Sequence, residues 1–436
     1  MKQEITPELL ASFEKEADYT STHAAMRSVM AHGLSASAVD EGKKRTNPMV
    51  FNLELKAGDV CNQKHSGRCW MFAGLNILRM TAMEKLNVKN FEFSQCYLQF
   101  FDKLEKANFF LEKALERKDR PLDDPELVYL FDHAIEDGGH FAMFKNLVKK
   151  YGVVPSSVMP DSAVSSSTKE LNAFLHRILA ADFLALKEAQ DPKKEKEAML
   201  QDIYRLLTIC LGVPPKSFVY EYTDKDEKAQ RIQTTPKEFF DTYVGEELED
   251  WVSLAHVPML HFPPYEKVGA PLVNNVVEGE HAFFFNVSMD EFKHAVLSEL
   301  KAGRPVWFGA DVGAESLRKE GFLVKDVLRL DELTGINPNI DKGQLLDTRV
   351  SHCSHAMAFT GANIEEGGRV SRYKVENSWG EENGKKGFYV MDEAWFETYV
   401  HQIFVRRSSL PEDLLKKYDE AKVSEVGPFN TLWLQD

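Results

Sequence analysis

At 436 residues the chain has the length of two or three ordinary domains, and with 43% hydrophobic residues it can bury a large core. Lys plus Arg number 53 against 68 Asp plus Glu, a net charge of −15, which argues against nucleic acid or an anionic membrane as partner. No apolar run approaches a membrane span and the Met1-Lys2-Gln3-Glu4-Ile5 start carries no secretory pattern, so a cytoplasmic location is expected.

The first 45 residues are polar with helical patches; Thr6 and Pro7 open one helix, as cap and first helical residue. From Gly67 onward Phe72, Leu75, Leu78, Met83 and Leu86 recur at three- and four-residue spacing, which puts Cys69 at the very start of a buried helix. The stretch from about 160 to 280 reads as mostly helical. Leu200, Ile203, Leu207 and Leu211 line a helix ended by Gly212, and Thr235-Pro236-Lys237-Glu238 opens another with a capping box. Ser288 with Glu291 starts a third, running to about Lys301.

The period then changes. Residues 305–309, 356–360, 372–375, 387–391 and 403–406 read as strands. Early helices and late strands favour an α+β fold over a doubly wound parallel sheet. No glycine-rich dinucleotide or P-loop pattern is present, so no cofactor of that kind is implied. The five cysteines, Cys61, Cys69, Cys96, Cys210 and Cys353, are odd in number and irregularly spaced, unlike a disulfide framework. Cys61, Cys96 and Cys210 read as small core hydrophobes. His352 and His355 flank Cys353, but no second ligand pair at a zinc-like spacing accompanies them, so no metal is expected.

Chemistry concentrates around Gln63-Lys64-His65-Ser66-Gly67-Arg68-Cys69-Trp70. A thiol at a helix N-terminus has its thiolate favoured by the dipole and by free backbone N–H groups. The same groups can hold an oxyanion, with Gln63 on the entering loop as a second donor. A nucleophile of this kind needs a base. His352 and His355 are both candidates; His355 is preferred because Ala356-Met357-Ala358-Phe359 continues directly from it as an apolar strand. His65, on the loop before the helix, reads as surface. Asn377 in Glu376-Asn377-Ser378-Trp379-Gly380 can accept from one ring nitrogen and turn the other toward the thiol, a Cys-His-Asn arrangement. Trp379 can cover that bond and border the substrate cleft.

Gln63 six residues before Cys69-Trp70, then His355-Ala356, then Asn377-Ser378-Trp379-Gly380, resemble the papain-like cysteine peptidases in order and in role. Ser66 stands where secreted members carry an additional cysteine. Only 68 residues precede Cys69, short for a signal plus an inhibitory pro-segment. The Cys69-to-His355 gap is about 140 residues longer than is usual, which matches a helical insertion. These departures resemble the bleomycin hydrolase and bacterial aminopeptidase C branch, as do Phe93-Ser94-Gln95, Asp137-Gly138-Gly139, Tyr151-Gly152-Val153-Val154-Pro155 and Trp307–Gly313.

The resemblance implies a papain-like fold and a thiol peptidase acting on peptides in the cytoplasm, assembled as a homohexamer around an internal cavity. It assigns Cys69 as nucleophile, His355 as base and acid, Asn377 as orienting residue, Gln63 as oxyanion donor, and Gly138 and Gly139 as backbone partners of the substrate's acyl side. One peptidase unit is expected: an arm over 1–60, a helical catalytic part over 61–160, a helical insertion over 161–285, a β-rich part over 286–410 and a C-terminal arm over 411–436. The branch's aminopeptidases place their own C-terminus in the cleft, where a carboxylate meets the substrate's α-ammonium, a role that falls here on Asp436. Only three residues follow Trp433, so a tail that falls short, with endopeptidase activity, is the rival reading. A catalytically silent peptide-binding oligomer is a more distant one.

Overall fold

Capping chemistry and apolar spacing fix most of the helices. In the computed structural model, which describes residues 4–17, 19–245 and 248–427, Thr6 caps helix Pro7–Glu16 by accepting from the Leu9 N–H. Capping boxes at Thr235 with Glu238 and at Ser288 with Glu291 open helices Pro236–Tyr243 and Met289–Lys301. Helix Pro192–Leu211 stops at Gly212, whose positive φ ends it. Helix Cys69–Lys85 begins on Cys69 itself.

The late strands build the middle of a twelve-stranded sheet, counted among the described residues. Its central order is Trp251–Ala255, Val400–Arg406, Val306–Ala310, His355–Ile364, Val370–Glu376 and Phe388–Asp392, all antiparallel neighbours. Strand His355–Ile364 shows why its pattern was readable. Ala356 and Ala358 join one core together with Cys69, Trp70 and Trp307, whereas Met357 and Phe359 face the other core with Phe308 and Phe396. Small residues on the first face let helix Cys69–Lys85 lie directly on the sheet. The architecture is mixed α and β with the papain-like arrangement of a helix carrying Cys69 against a sheet carrying His355.

One expectation needs correction. Residues 161–285 are not wholly helical. Besides helices Lys169–Glu188, Pro192–Leu211 and Pro236–Tyr243 they contain the hairpin Phe218–Thr223/Ala229–Thr234. They also supply strands Trp251–Ala255, Lys267–Gly269 and Phe283–Asn286 to the main sheet. The reason is physical: Trp251–Ala255 is buried at every residue, so it lacks the alternation that marks a half-buried strand. Cys210 is also less deeply placed than a core residue; it is intermediate in exposure and packs on the core's rim. Among the described residues no helix is long and apolar enough to cross a membrane. Trp433 and Asp436 lie outside the described residues.

Candidate active site

The loop before Cys69 and the segment after strand Val370–Glu376 are stitched edge to edge. The Gln63 N–H donates to the Ser378 carbonyl at 2.8 Å, and the Gly380 N–H donates to the Cys61 carbonyl at 3.2 Å. Gly380 sits at φ +82°, and a Cβ there would collide with the Asn62 amide, so the tetrapeptide's glycine is required by geometry. The Gln63 side chain is clamped at both ends. Its Nε2 donates to the Ser66 carbonyl at 2.6 Å and its Oε1 accepts from the Ser378 hydroxyl at 2.6 Å. The amide orientation is thereby fixed, and the second Nε2 hydrogen is left for a further acceptor.

His355 and Asn377 are in hydrogen-bond contact. His355 Nε2 lies 2.8 Å from Asn377 Oδ1, and the same oxygen accepts from the Ser378 N–H at 2.7 Å. Two donors converging on Oδ1 make Nε2 the protonated nitrogen, so Nδ1 remains to exchange a proton with a thiol. The Trp379 ring lies over the imidazole, with centroids 4.6 Å apart at 31°. The Arg318 guanidinium lies over that indole at 5.5 Å. Both His355 and Asn377 are buried, whereas His352 is exposed, which separates the two candidate histidines. His65 is exposed as well.

Cys69 is buried at the helix start, in the core that Ala356 also joins. Cys353, two residues before His355, is pushed up first by burial and then by the nearby charge of Cys69 and Asp311, so nucleophile helix and histidine strand bring the two thiols into electrostatic range. Burial pulls the His355 imidazole down to about 4; the bond to Asn377 opposes this and the Arg318 charge adds to it. Imidazolium at this position therefore depends on an opposing thiolate for its stabilisation.

The glycine pair flanks the same helix. The Gly138 carbonyl accepts from Lys106 Nζ at 2.7 Å, whereas no hydrogen bond engages the main chain of Gly139 among the described residues. A Cβ on Gly139 would lie 2.5 Å from the Trp70 ring. A small cavity opens beside the pair, walled by Phe110, Leu130 and Leu272 and also by Lys106, His133 and Glu136. Among the described residues no group of His, Cys, Asp and Glu is disposed to hold a metal.

This constellation has a family. The model of the Peptidase C1-like family matches residues 4–432. The chain belongs to that family. Within the Peptidase C1-like family it is 37% identical to Aminopeptidase C of Lactococcus lactis subsp. cremoris over 424 residues, covering 96% of this chain and 97% of that one. It is 36% identical to Aminopeptidase C of Listeria monocytogenes over 430 residues, covering 97% of each. The crystal structure of PepW from Lactobacillus rhamnosis superposes with a TM-score of 0.95 at 37% identity, covering 99% of both chains. The papain-like fold of this Peptidase C1-like protein is thus shared with that structure across the described residues.

Three groups around the site gave no sequence signal beyond their neighbours. Asp137 was visible only as the residue before the glycine pair. Arg79 and Glu376 form a buried ion pair between the Cys69 helix and the residue preceding Asn377. Arg318 comes from a loop whose placement over Trp379 no local pattern announces.

Proposed function

We propose that the protein is a thiol aminopeptidase that removes N-terminal residues from short peptides, with Cys69 as nucleophile, His355 as base and acid, Asn377 as the orienting residue and Gln63 as oxyanion donor. The observation that supports the assignment of roles is the His355 Nε2–Asn377 Oδ1 bond at 2.8 Å, which leaves Nδ1 as the ring nitrogen able to exchange a proton with a thiol. The activity is supported by Aminopeptidase C relatives matched over 96% and 97% of the chain.

The steps follow from these positions. Cys69 gives its proton to His355 Nδ1 and its sulfur attacks the scissile carbonyl carbon. The resulting oxyanion takes hydrogen bonds from the Cys69 N–H and from the unused Gln63 Nε2 hydrogen. His355 returns the proton to the departing amine, leaving a thioester on Cys69. Water then attacks with His355 as base, and the freed acid and thiol restore the start. Gly139, whose main chain makes no hydrogen bond among the described residues, is assigned to pair with the substrate backbone. Trp379 shields the His355–Asn377 bond from water, which strengthens it. The carboxylate of Asp436 is assigned to the substrate's α-ammonium.

The reading extends to a cytoplasmic homohexamer that uses no metal or cofactor and binds neither nucleic acid nor membrane. Sedimentation equilibrium tests the assembly.

Matched fluorogenic peptides with a free or an acetylated N-terminus, assayed under reducing conditions, test the activity. Turnover of the free-amine peptides alone is expected. In that case removal of Leu434–Asp436 is expected to release endopeptidase activity, whereas equal cleavage of the acetylated peptides by the intact protein means an endopeptidase. Absence of turnover together with an alkylation-resistant Cys69 would leave only peptide binding.

A further inference from the structure

The loop that precedes Cys69 and the glycine pair are held by one carboxylate. Asp137 is 4% exposed and stands immediately before Gly138. Its Oδ2 accepts from the Gly67 N–H at 3.0 Å, two residues ahead of the nucleophile, and from the Thr168 hydroxyl. Its Oδ1 accepts from Asn172 Nδ2 at 2.9 Å and pairs with Lys103 Nζ at 2.7 Å. Its own carbonyl accepts from the Trp70 indole N–H at 2.7 Å, one residue beyond the nucleophile. One residue therefore bonds to both sides of Cys69 while its chain runs directly into the pair assigned to the substrate backbone.

The surroundings make that residue rigid. Lys103 also donates to the Ile135 carbonyl, and Lys106 to the carbonyls of Glu136 and Gly138, so these two lysines of helix Gln95–Leu115 grip the 135–138 turn. Against the desolvation of burial, Lys103, Thr168 and Asn172 hold the Asp137 carboxyl far below the usual carboxylate range, and the charge is permanent at any working pH. Thr168 and Asn172 come from the start of helix Lys169–Glu188. The insertion that follows the helical catalytic part therefore reaches back to the reacting centre through this carboxylate.

We infer that Asp137 is a positioning residue for the reaction, setting the distance between the oxyanion loop and the glycine pair so that a peptide held by Gly139 presents its carbonyl to Cys69. The inference rests on the proposed roles of Cys69, Gln63 and Gly139. Two supports of the substrate then share a single anchor: if the anchor slackens, the acyl chain is displaced relative to sulfur and to the oxyanion donors together. A displacement near 1 Å at such a centre lowers the rate by about 100-fold.

The experiment compares wild type, Asp137→Asn and Thr168→Val on free-amine fluorogenic dipeptides, with active sites counted by a thiol-alkylating epoxide. The asparagine keeps the shape and the acceptor for Gly67 but loses the charge that Lys103 meets. The valine is close to isosteric and removes only one donor. For Asp137→Asn we expect kcat per titrated Cys69 to fall about 10- to 100-fold with KM raised. The rate of iodoacetamide alkylation, which needs neither glycine pair nor oxyanion loop, is expected to change less than threefold. For Thr168→Val we expect the same pattern at about three- to tenfold, and this variant carries the test if Asp137→Asn does not fold.

A merely structural Asp137 would lower the melting temperature and the fraction of titratable sites yet leave kcat and KM per site unchanged, which overturns the inference. An alkylation rate falling in parallel with kcat also overturns it, by placing the damage in the nucleophile alone. A wild-type protein that turns over no peptide removes instead the proposed activity on which the inference stands.

Discussion

Arg79 Nη2 and Glu376 Oε1 meet at 2.6 Å with both side chains 1% exposed, so a charge on the Cys69 helix is neutralised by the residue that immediately precedes Asn377. Arg79 also donates to the Asp59 carbonyl at 2.8 Å and to the Cys61 sulfur at 3.2 Å. The pair therefore ties three segments of the site: the oxyanion loop's start, the nucleophile helix and the asparagine strand. Removing one partner strands the other charge in the core. Glu376→Ala is expected to lower stability by about 3–5 kcal/mol, and Arg79→Met combined with Glu376→Leu to recover most of that loss. Urea unfolding checks both; a cost below about 1 kcal/mol for the single variant would show that the guanidinium finds another partner.

Gln63 is clamped by Ser66 and Ser378 in an orientation that offers one amide hydrogen outward. If that hydrogen meets the oxyanion, its contribution is confined to the transition state. Gln63→Ala is expected to reduce kcat by about 100- to 1000-fold with little change in KM. Steady-state kinetics on a free-amine peptide decide it, and a loss residing in KM would assign Gln63 to ground-state binding.

The depressed imidazole has a kinetic signature. Burial holds His355 near 4, so it stays neutral and able to accept a proton through the whole range above that value. The acid limb of kcat/KM is expected near pH 4 and well below the ordinary histidine value of about 6.5. A limb close to 6.5 would show that the folded protein does not desolvate the ring.

His140 gives a stability counterpart away from the proton transfer. It is fully buried, bonds Gln402 at 2.9 Å, and is pulled by burial to about 4 against the opposing hydrogen bond. Unfolding returns it to about 6.5, so the unfolded chain binds the proton first. Its contribution is complete above pH 6.5 and is lost as pH falls toward 4. His140→Asn keeps a cap for helix Phe141–Tyr151 but cannot titrate. Between pH 6.5 and 4 wild type is expected to lose about 1.4 kcal/mol per pH unit more than the variant. Parallel stability curves for the two proteins would refute the assignment.

The residues legible in the sequence share one property: each belongs to a type that the chemistry demands beside an element boundary. Cys69 opens a helix, His355 opens a strand, and Asn377 and Gly380 occupy the turn that leaves one. The supporting charges were hidden for the opposite reason. Asp137 meets Gly67 across 70 residues and Arg79 meets Glu376 across 297, and charged side chains read locally as surface. The strands Trp251–Ala255 and Phe283–Asn286 escaped because they are short and buried, with no alternation to distinguish them from helix. Asn52, Leu53 and Glu54 pairing with the far end of the histidine strand was equally silent, since two residues of ladder leave no period.

Strand His355–Ile364 has hydrogen-bonded neighbours on both sides, Val306–Ala310 and Val370–Glu376. Its amides can open to solvent only when the middle of the sheet opens, so they belong with the slowest-exchanging protons of the molecule. The loop from Gln63 to Arg68 has no such continuous ladder; it is held by two main-chain bonds, from the Gln63 N–H to the Ser378 carbonyl and from the His65 N–H to the Ser166 carbonyl, and by side-chain bonds to Asp137, Ser378 and Asp161. On heating, the base should keep its place while the nucleophile's loop comes adrift, and the protein should fall silent some degrees before it melts.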